Sequence, residues 1–155
     1  MTVVAGCNAV SFTSVGARLS AHLYMPPAVE PGTRHPAIVF VRPATGVKEQ
    51  TAGLYAEKLA RMGFVTLAFD PRGFGESEGR RSVEDPVRII EDLRHAIDFV
   101  EQLPFVDPGR LFTAGVCMGG GYAAVEATDD ARIKAVASIT PYLTMHEDYP
   151  AMFGG

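Results

Sequence analysis

The sequence lacks most features that would assign it to a nucleic-acid-binding, membrane or disulfide-rich class. It has two cysteines, Cys7 and Cys117, far apart in the chain, which argues against a disulfide framework. The formal net charge is -4 and no run of lysine or arginine occurs, so neither a nucleic-acid nor a membrane-surface partner is expected. No apolar stretch approaches the roughly 20 residues that span a bilayer, and the first ten residues lack a leader pattern. We therefore expect a cytoplasmic location and a small, uncharged substrate.

Repeats, low-complexity tracts and linker-like changes in composition are also absent. The 155 residues, 47% of them hydrophobic, suffice for one packed domain and are too few for two of ordinary size. We predict a single core domain over 1–155, in which 141–155 begins a cap or an excursion from the core. Neither a cluster of metal-ligand residues nor a cofactor fingerprint is present, so no metal and no cofactor are expected.

An opening hairpin is followed by alternating apolar strands and amphipathic helices. Residues 9–14 and 18–24 predict two antiparallel strands joined by a turn at Val15 and Gly16. Apolar runs predict four strands of a parallel sheet: 36–41, 64–69, 111–116 and 135–139. Helical periodicity predicts three helices: 49–62, from Pro86 to before Pro104, and 118–127. This alternation is typical of an α/β fold, a mostly parallel sheet flanked by helices in three layers.

The most informative motif is GVCMGG at residues 115–120, which joins the third predicted parallel strand to its helix. It fits the pattern G-x-nucleophile-x-G of a nucleophile elbow, a turn that projects its central side chain above the sheet edge. Gly115 and Gly119 supply the small residues that such a turn needs on either side of Cys117. The alternative is a glycine-rich turn around a buried, inert cysteine. Placement after a buried parallel strand favours the elbow.

The helix predicted to begin at Met118 bears on the chemistry of this turn. Its free N–H groups and the positive end of its dipole point towards the Cys117 sulfur, and we expect this to favour the nucleophilic thiolate. The Met118 N–H is also placed to stabilise the oxyanion of a tetrahedral intermediate.

Two further loops follow neighbouring predicted strands. Residues 70–77 (DPRGFGES) come after the strand 64–69, and residues 42–50 (RPATGVKEQ) come after the strand 36–41. The alternatives for the first loop are a plain glycine-rich turn and a phosphate-binding loop. The phosphate-binding alternative is weak, because neither G-x-x-x-x-G-K-[ST] nor G-x-G-x-x-G occurs there.

These three loops and the predicted element order resemble the α/β-hydrolase superfamily, within it the dienelactone-hydrolase-like proteins, over essentially the whole chain. The resemblance implies an eight-stranded, mostly parallel sheet, of which this sequence is the N-terminal portion, truncated after about the sixth strand. It also implies hydrolysis of esters, lactones or thioesters by a Cys-Asp-His or Ser-Asp-His triad. In that family the loop 70–77 is structural, and the loop 42–50 donates a second oxyanion N–H, here from Ala44 or Thr45.

The loop 42–50 departs from the family pattern. Similar proteins carry His-Pro-Gly-Gly-Gly before Val-Lys-Glu-Gln, whereas this sequence has Arg42, Ala44 and Thr45 in place of the histidine and two glycines. Residues with a Cβ resist positive φ, so these substitutions bear directly on the conformation of the loop.

The acid and the histidine of the triad have no clear counterparts, because in this fold they follow the nucleophile on loops after later strands. Three histidines are interpreted as structural or surface residues: His22, His35 and His95. His146, with Asp148 as its nearest carboxylate, is a low-ranking candidate base, since a base needs hydrogen-bond reach and an orienting partner. A cap-region loop is the preferred interpretation of that segment.

Truncation would leave the strand 135–139 with an exposed edge. We expect a second chain, either a complementary fragment or a symmetry mate, to cover it. Three alternatives to a hydrolase stay open: a non-catalytic scaffold of the same fold, a thiol-based regulatory module that uses Cys117, and a mere fragment of a longer gene product. The absence of a nearby resolving cysteine speaks against the regulatory module.

Overall fold

The computed structural model describes residues 2–28 and 32–143, which form a six-stranded mixed sheet with helices on both faces. The strands are β1 (Gly6–Ser14), β2 (Ala17–Met25), β3 (His35–Val41), β4 (Val65–Phe69), β5 (Val106–Val116) and β6 (Ile133–Ile139). The helices are α1 (Gly53–Arg61), α2 (Pro86–Glu101) and α3 (Met118–Asp129), and a single π-helical turn, Lys48–Ala52, leads into α1. The predicted fold class is confirmed.

The strand order is β1-β2-β4-β3-β5-β6. The hairpin of β1 and β2 turns through Val15 and Gly16, both at positive φ, and β2 then pairs antiparallel with β4. The remaining pairs, β4 with β3, β3 with β5 and β5 with β6, are all parallel. The carboxyl ends of four parallel strands therefore meet at one edge of the sheet, and the loops predicted to carry chemistry lie at that edge.

Each face of the sheet is covered by its own helices. α2 and α3 pack on one face through apolar side chains such as Leu93, Ile97 and Tyr122, while α1 packs on the other through Ala56 and Ala60. The central strand β4 is buried along its whole length, as its sequence, apolar except for Thr66, predicts. The arrangement is the three-layer sandwich expected of an α/β fold.

Several boundaries differ by a few residues from the sequence-based ones, and the differences in two elements are informative. β5 begins at Val106, five residues before the predicted start, because Val106 pairs with His35 across a register shift. The intervening Asp-Pro-Gly-Arg has the composition of a turn and forms an irregular stretch of β5 between the pair His35–Val106 and the pair Ala37–Leu111. The predicted helix 49–62 begins as a π-helical turn that is kinked at Gln50.

The edge strand β6 is exposed along most of its length, although its sequence, IKAVASI, is largely apolar. Beside it, on the α1 face, lies a groove of about 420 Å³ lined almost wholly by apolar atoms. Its walls include Phe40, Tyr55 and Phe112, together with Val136 of β6. Among the described residues nothing covers this part of the sheet.

Candidate functional site

Cys117 lies between the last residue of β5 and the first residue of α3, at the carboxyl edge of the sheet. Its φ of 57° and ψ of -125° form a conformation that residues with a side chain adopt rarely and at a cost of about 1–3 kcal/mol. The Cys117 N–H donates to the Ile139 carbonyl at 3.0 Å, and the Cys117 carbonyl accepts from Gly120 and Tyr142, also at 3.0 Å. The thiol is partly exposed, and no described side chain hydrogen-bonds its Sγ. The backbone is thus held in a strained turn that leaves the sulfur available.

The two glycines that flank this turn are needed for close backbone packing. A Cβ on Gly115 would overlap the backbone of Gly119, and a Cβ on Gly119 would overlap the carbonyl oxygens of Val41 and Arg42. The N-terminus of α3 therefore rests directly on the end of β3. This contact brings the Met118 N–H close to the loop that follows β3.

The loop after β3 was predicted to supply a second N–H donor, from Ala44 or Thr45. Thr45 has a φ of 58°, so it adopts the left-handed conformation despite its Cβ, and its N–H donates to Glu84 Oε2 at 3.1 Å. Gly46 N–H closes a turn onto the Pro43 carbonyl at 3.1 Å. No described atom accepts the N–H of Ala44 or of Met118. Of the two candidates, Ala44 is the one whose N–H is not engaged.

Glu84 is a residue of this region that the sequence motifs did not single out. Its side chain is 3% exposed and pairs with Arg42 through Arg42 Nη1, at 2.9 Å to Oε1 and 2.8 Å to Oε2. The Tyr122 hydroxyl donates to Glu84 Oε1 at 3.2 Å, and the Arg42 guanidinium lies 4.2 Å from the centre of the Phe74 ring. A buried carboxylate therefore joins the loop after β3 to α3.

A second buried ion cluster joins the loops after β3 and β4. Asp70 accepts from the Lys48 N–H at 2.7 Å and from Lys48 Nζ at 3.0 Å, and both side chains are at most 1% exposed. Lys48 Nζ also donates to Glu76 at 2.8 Å, and this hydrogen bond lowers the pKa of the Glu76 carboxyl. The role predicted for residues 70–77, a structural loop near the rim, fits these contacts, because Asp70 and Glu76 bind the loop that carries Ala44.

The described histidines lie away from Cys117. His22 is on β2 and its Nε2 is 3.9 Å from Glu49, while the His35 N–H bonds to Phe105 at the opposite end of the sheet. His95 is on α2, beside Ser14 of β1. His146 and Asp148 lie outside the described residues, as does most of the predicted cap segment 141–155, so their prediction stays untested.

Ser14, His95 and Asp92 bring a hydroxyl, an imidazole and a carboxylate together, but their hydrogen bonds do not form a triad. The Ser14 hydroxyl donates directly to Asp92 Oδ1 at 2.6 Å, and His95 Nδ1 lies 2.9 Å from the Glu91 carbonyl. An Nδ1 that donates to a carbonyl carries a proton and cannot accept one from serine. Ser14 and Asp92 are also fully buried, and Asp92 accepts from the Arg72 N–H at 2.8 Å. The group is a structural support for the loop after β4.

Within the described ranges, no group of three histidine, cysteine or acidic residues is arranged to hold a metal ion. No helix in those ranges is long and apolar enough to cross a membrane. Both cysteines are free thiols, Cys7 on the exposed edge strand β1 and Cys117 at the sheet edge.

The doubly covered, mostly parallel sheet, with a strained strand-to-helix turn at its carboxyl edge, defines an α/β-hydrolase fold. The family model of the serine aminopeptidases S33 matches residues 33–154. The chain therefore belongs to this family of α/β-hydrolases, and the resemblance found in the sequence is confirmed.

Similar proteins support the assignment. The crystal structure of hypothetical protein PA2218 from Pseudomonas aeruginosa is 42% identical, with a TM-score of 0.84 over 92% of this chain and 45% of that one. The thiohydrolase aneE of Aspergillus aculeatus is 35% identical over 86% of this chain and 41% of its own length. A Klebsiella pneumoniae protein assigned as a dienelactone hydrolase shares the fold at 20% identity, with a TM-score of 0.74 over 90% of this chain and 61% of that one. The chain spans about half the length of the curated relatives it matches, or less.

Proposed function

We propose that this chain carries the nucleophile half of a hydrolase that cleaves ester, lactone or thioester bonds, with Cys117 as the nucleophile. The observation that carries the proposal is the conformation of Cys117, a strained turn between β5 and α3 that leaves a partly exposed thiol at the sheet edge. Strain of this kind persists where the surrounding structure enforces it, and it is concentrated at active sites. This conformation supports our interpretation of the turn as a nucleophile elbow.

The reaction would proceed in two steps. The Cys117 thiolate attacks the acyl carbonyl, a carbon–sulfur bond forms, and the N–H groups of Ala44 and Met118 stabilise the oxyanion. The intermediate then expels the alcohol or thiol, which takes up a proton, and water hydrolyses the acyl-cysteine to the carboxylic acid and the free thiol. The name of the relative aneE, a thiohydrolase, supports the inclusion of thioesters among the substrates.

The general base and its carboxylate are the parts that the described residues do not provide. We propose that they belong to a complementing segment, equivalent to the other half of a hydrolase domain, which pairs with the open edge of β6 and fills the apolar groove beside it. The exposed apolar sequence of β6 and the groove of about 420 Å³ favour such a partner. Relatives that are more than twice as long as the matched region have residues enough for this role.

The nucleophile is tested by mass spectrometry after incubation with p-nitrophenyl acetate. The test uses the Cys7→Ala variant as background, so that Cys117 is the single thiol. The Cys7 thiol that is removed has a pKa raised by partial desolvation. We expect one acetyl group on Cys117 and none in the further variant Cys117→Ala. Turnover by this chain alone should be poor, because an acyl-cysteine without a base is formed more readily than it is hydrolysed. Alkylation of Cys117 without any acylation would instead favour the thiol-reactive regulatory module.

The partner is tested by size-exclusion chromatography with light scattering. The chain alone should self-associate, and co-expression with the C-terminal half of a relative such as PA2218 should give a one-to-one complex with ester turnover. A well-behaved monomer that binds no such fragment would contradict the proposal. A stable symmetric dimer without turnover would assign β6 to a second copy of this chain.

A further inference from the structure

Glu84 connects the two backbone segments that carry the free N–H groups at the candidate site. It lies directly before Asp85, the N-cap of α2, and its carboxylate is buried. One oxygen, Oε2, accepts from the Thr45 N–H, and the other, Oε1, accepts from the Tyr122 hydroxyl. One side chain is therefore bonded both to the loop after β3 and to α3.

Both bonds are made next to a free donor. Thr45 directly follows Ala44 in the chain, and Tyr122 lies four residues after Met118, so it is about one helical turn away on the same face of α3. Rotation of the loop or a shift of α3 would break one of the two bonds to Glu84. We propose that Glu84 is a positioning residue, which sets the separation and direction of the Ala44 and Met118 N–H groups that stabilise the oxyanion. This inference rests on the proposed function.

Arg42 provides the counter-charge for this arrangement. Its Nη1 donates to both oxygens of Glu84 and to the Pro43 carbonyl at 2.9 Å, so the same guanidinium also holds the first turn of the loop. An ionised carboxylate is a stronger hydrogen-bond acceptor than a neutral group. The pair of Arg42 and Glu84 can therefore hold Thr45 at its φ of 58°, which a residue with a Cβ does not adopt readily.

Two reactions of Cys117 distinguish an effect of Glu84 on the oxyanion hole from an effect of Glu84 on the reactivity of the thiol itself. Acylation by p-nitrophenyl acetate develops an oxyanion, whereas alkylation by iodoacetamide displaces iodide and develops none. Both rates are measured in the Cys7→Ala background at about pH 9, where an ordinary thiol is largely ionised. The ratio of the two rates then reports on oxyanion stabilisation, and the alkylation rate reports on the thiol itself.

Glu84→Gln removes the charge and keeps the shape of the side chain. We expect its acylation rate to fall roughly 10- to 100-fold, as for misplaced oxyanion donors, while the alkylation rate stays within about 2-fold. Tyr122→Phe leaves the pair of Arg42 and Glu84 intact and should lower acylation selectively by a smaller factor. The matched control is Glu126→Gln, which breaks another buried carboxylate–arginine pair on α3, with Arg94, away from the loop.

The outcomes distinguish this inference from the function on which it rests. If Glu84→Gln and Tyr122→Phe both keep the ratio of the two rates, or if Glu126→Gln lowers it equally, Glu84 has no positioning role, although Cys117 still acts as a nucleophile. If Glu84→Gln does not fold, Tyr122→Phe decides the question by itself. If the parent protein is alkylated and never acylated, the proposed hydrolase fails, and the role of Glu84 fails with it.

Discussion

The Cys117 N–H donates to the carbonyl oxygen of Ile139, the last residue of β6, over an N to O distance of 3.0 Å. The turn that carries the thiol is therefore bonded to the open edge strand of the sheet. Strands at an unpaired edge open more readily than central strands. We infer that any segment covering β6 would also steady the turn at Cys117.

Gly119→Ala should damage the site through the backbone. The new Cβ would overlap the carbonyl oxygens of Val41 and Arg42, and backbone atoms cannot move aside as a flexible side chain can. We expect the free energy of unfolding to fall by about 2–3 kcal/mol, together with a loss of Cys117 acylation. Gly109→Ala is the control, because its Cβ would meet only the Asp107 carboxylate, 3.3 Å away in an exposed, irregular part of β5. Urea unfolding of both variants measures the difference, and equal stability would contradict the expected overlap.

Replacement of Cys117 should reveal the strain in its backbone. Glycine accepts a positive φ at no steric cost, whereas alanine keeps the strain of the parent residue at φ 57°. Relief of the backbone strain favours Cys117→Gly, whereas the greater entropy of glycine in the unfolded chain opposes it. We expect the net result to be a Cys117→Gly protein that is more stable than Cys117→Ala by about 1 kcal/mol. Thermal and urea unfolding of the two variants test this order. A Cys117→Ala protein that equals or exceeds Cys117→Gly in stability would show that the turn is not strained.

The buried pair of Lys48 and Asp70 should be strongly coupled. Lys48→Met leaves the fully buried Asp70 carboxylate without its cation, which typically lowers the free energy of unfolding by about 3–5 kcal/mol. Asp70→Asn should cost less, because Lys48 keeps Glu76 and Glu49 as partners. In a double-mutant cycle, we expect the double variant to lose less free energy of unfolding than the two single variants lose together, by about 1–3 kcal/mol. Additive effects would mean that the two loops are not joined by this pair.

Acid should weaken the ion pair of Asp130 and Arg132, which lies in the connection between α3 and β6. The Arg132 guanidinium, 2.6 Å from Asp130 Oδ2, holds the pKa of the Asp130 carboxyl below its usual range. A carboxyl with a depressed folded-state pKa contributes its full stability at pH values above its unfolded-state pKa, which is about 3.9. That contribution to the free energy of unfolding is lost as the pH falls through the lower folded-state pKa. The parent protein should therefore lose more stability than Asp130→Asn between about pH 5 and pH 3. Urea unfolding at several pH values checks this, and parallel curves for the two proteins would refute it.

Much of the fold could be predicted from local patterns. The buried strands β3 and β4 are largely apolar, and α2 begins at the N-cap Asp85, which accepts hydrogen bonds from the N–H groups of Val87 and Arg88. These features depend on neighbouring residues, so the sequence displays them directly. The early start of β5 was missed, because residues 107–110 have the composition of a turn, and the strand extends across them only through the pairing of Val106 with His35 of β3.

The sequence by itself determined the class of fold and the turn in which Cys117 lies, because hydrophobic periodicity and the spacing of glycines are local properties of the chain. Only the tertiary structure decided which N–H groups stay free at that turn. Thr45 and Glu84 are 39 residues apart, and their hydrogen bond exists only when the loop after β3 and the start of α2 are brought together by the sheet. The open edge of β6 was likewise predicted in outline, but its exposure and its bond to Cys117 follow from the order in which the strands pack.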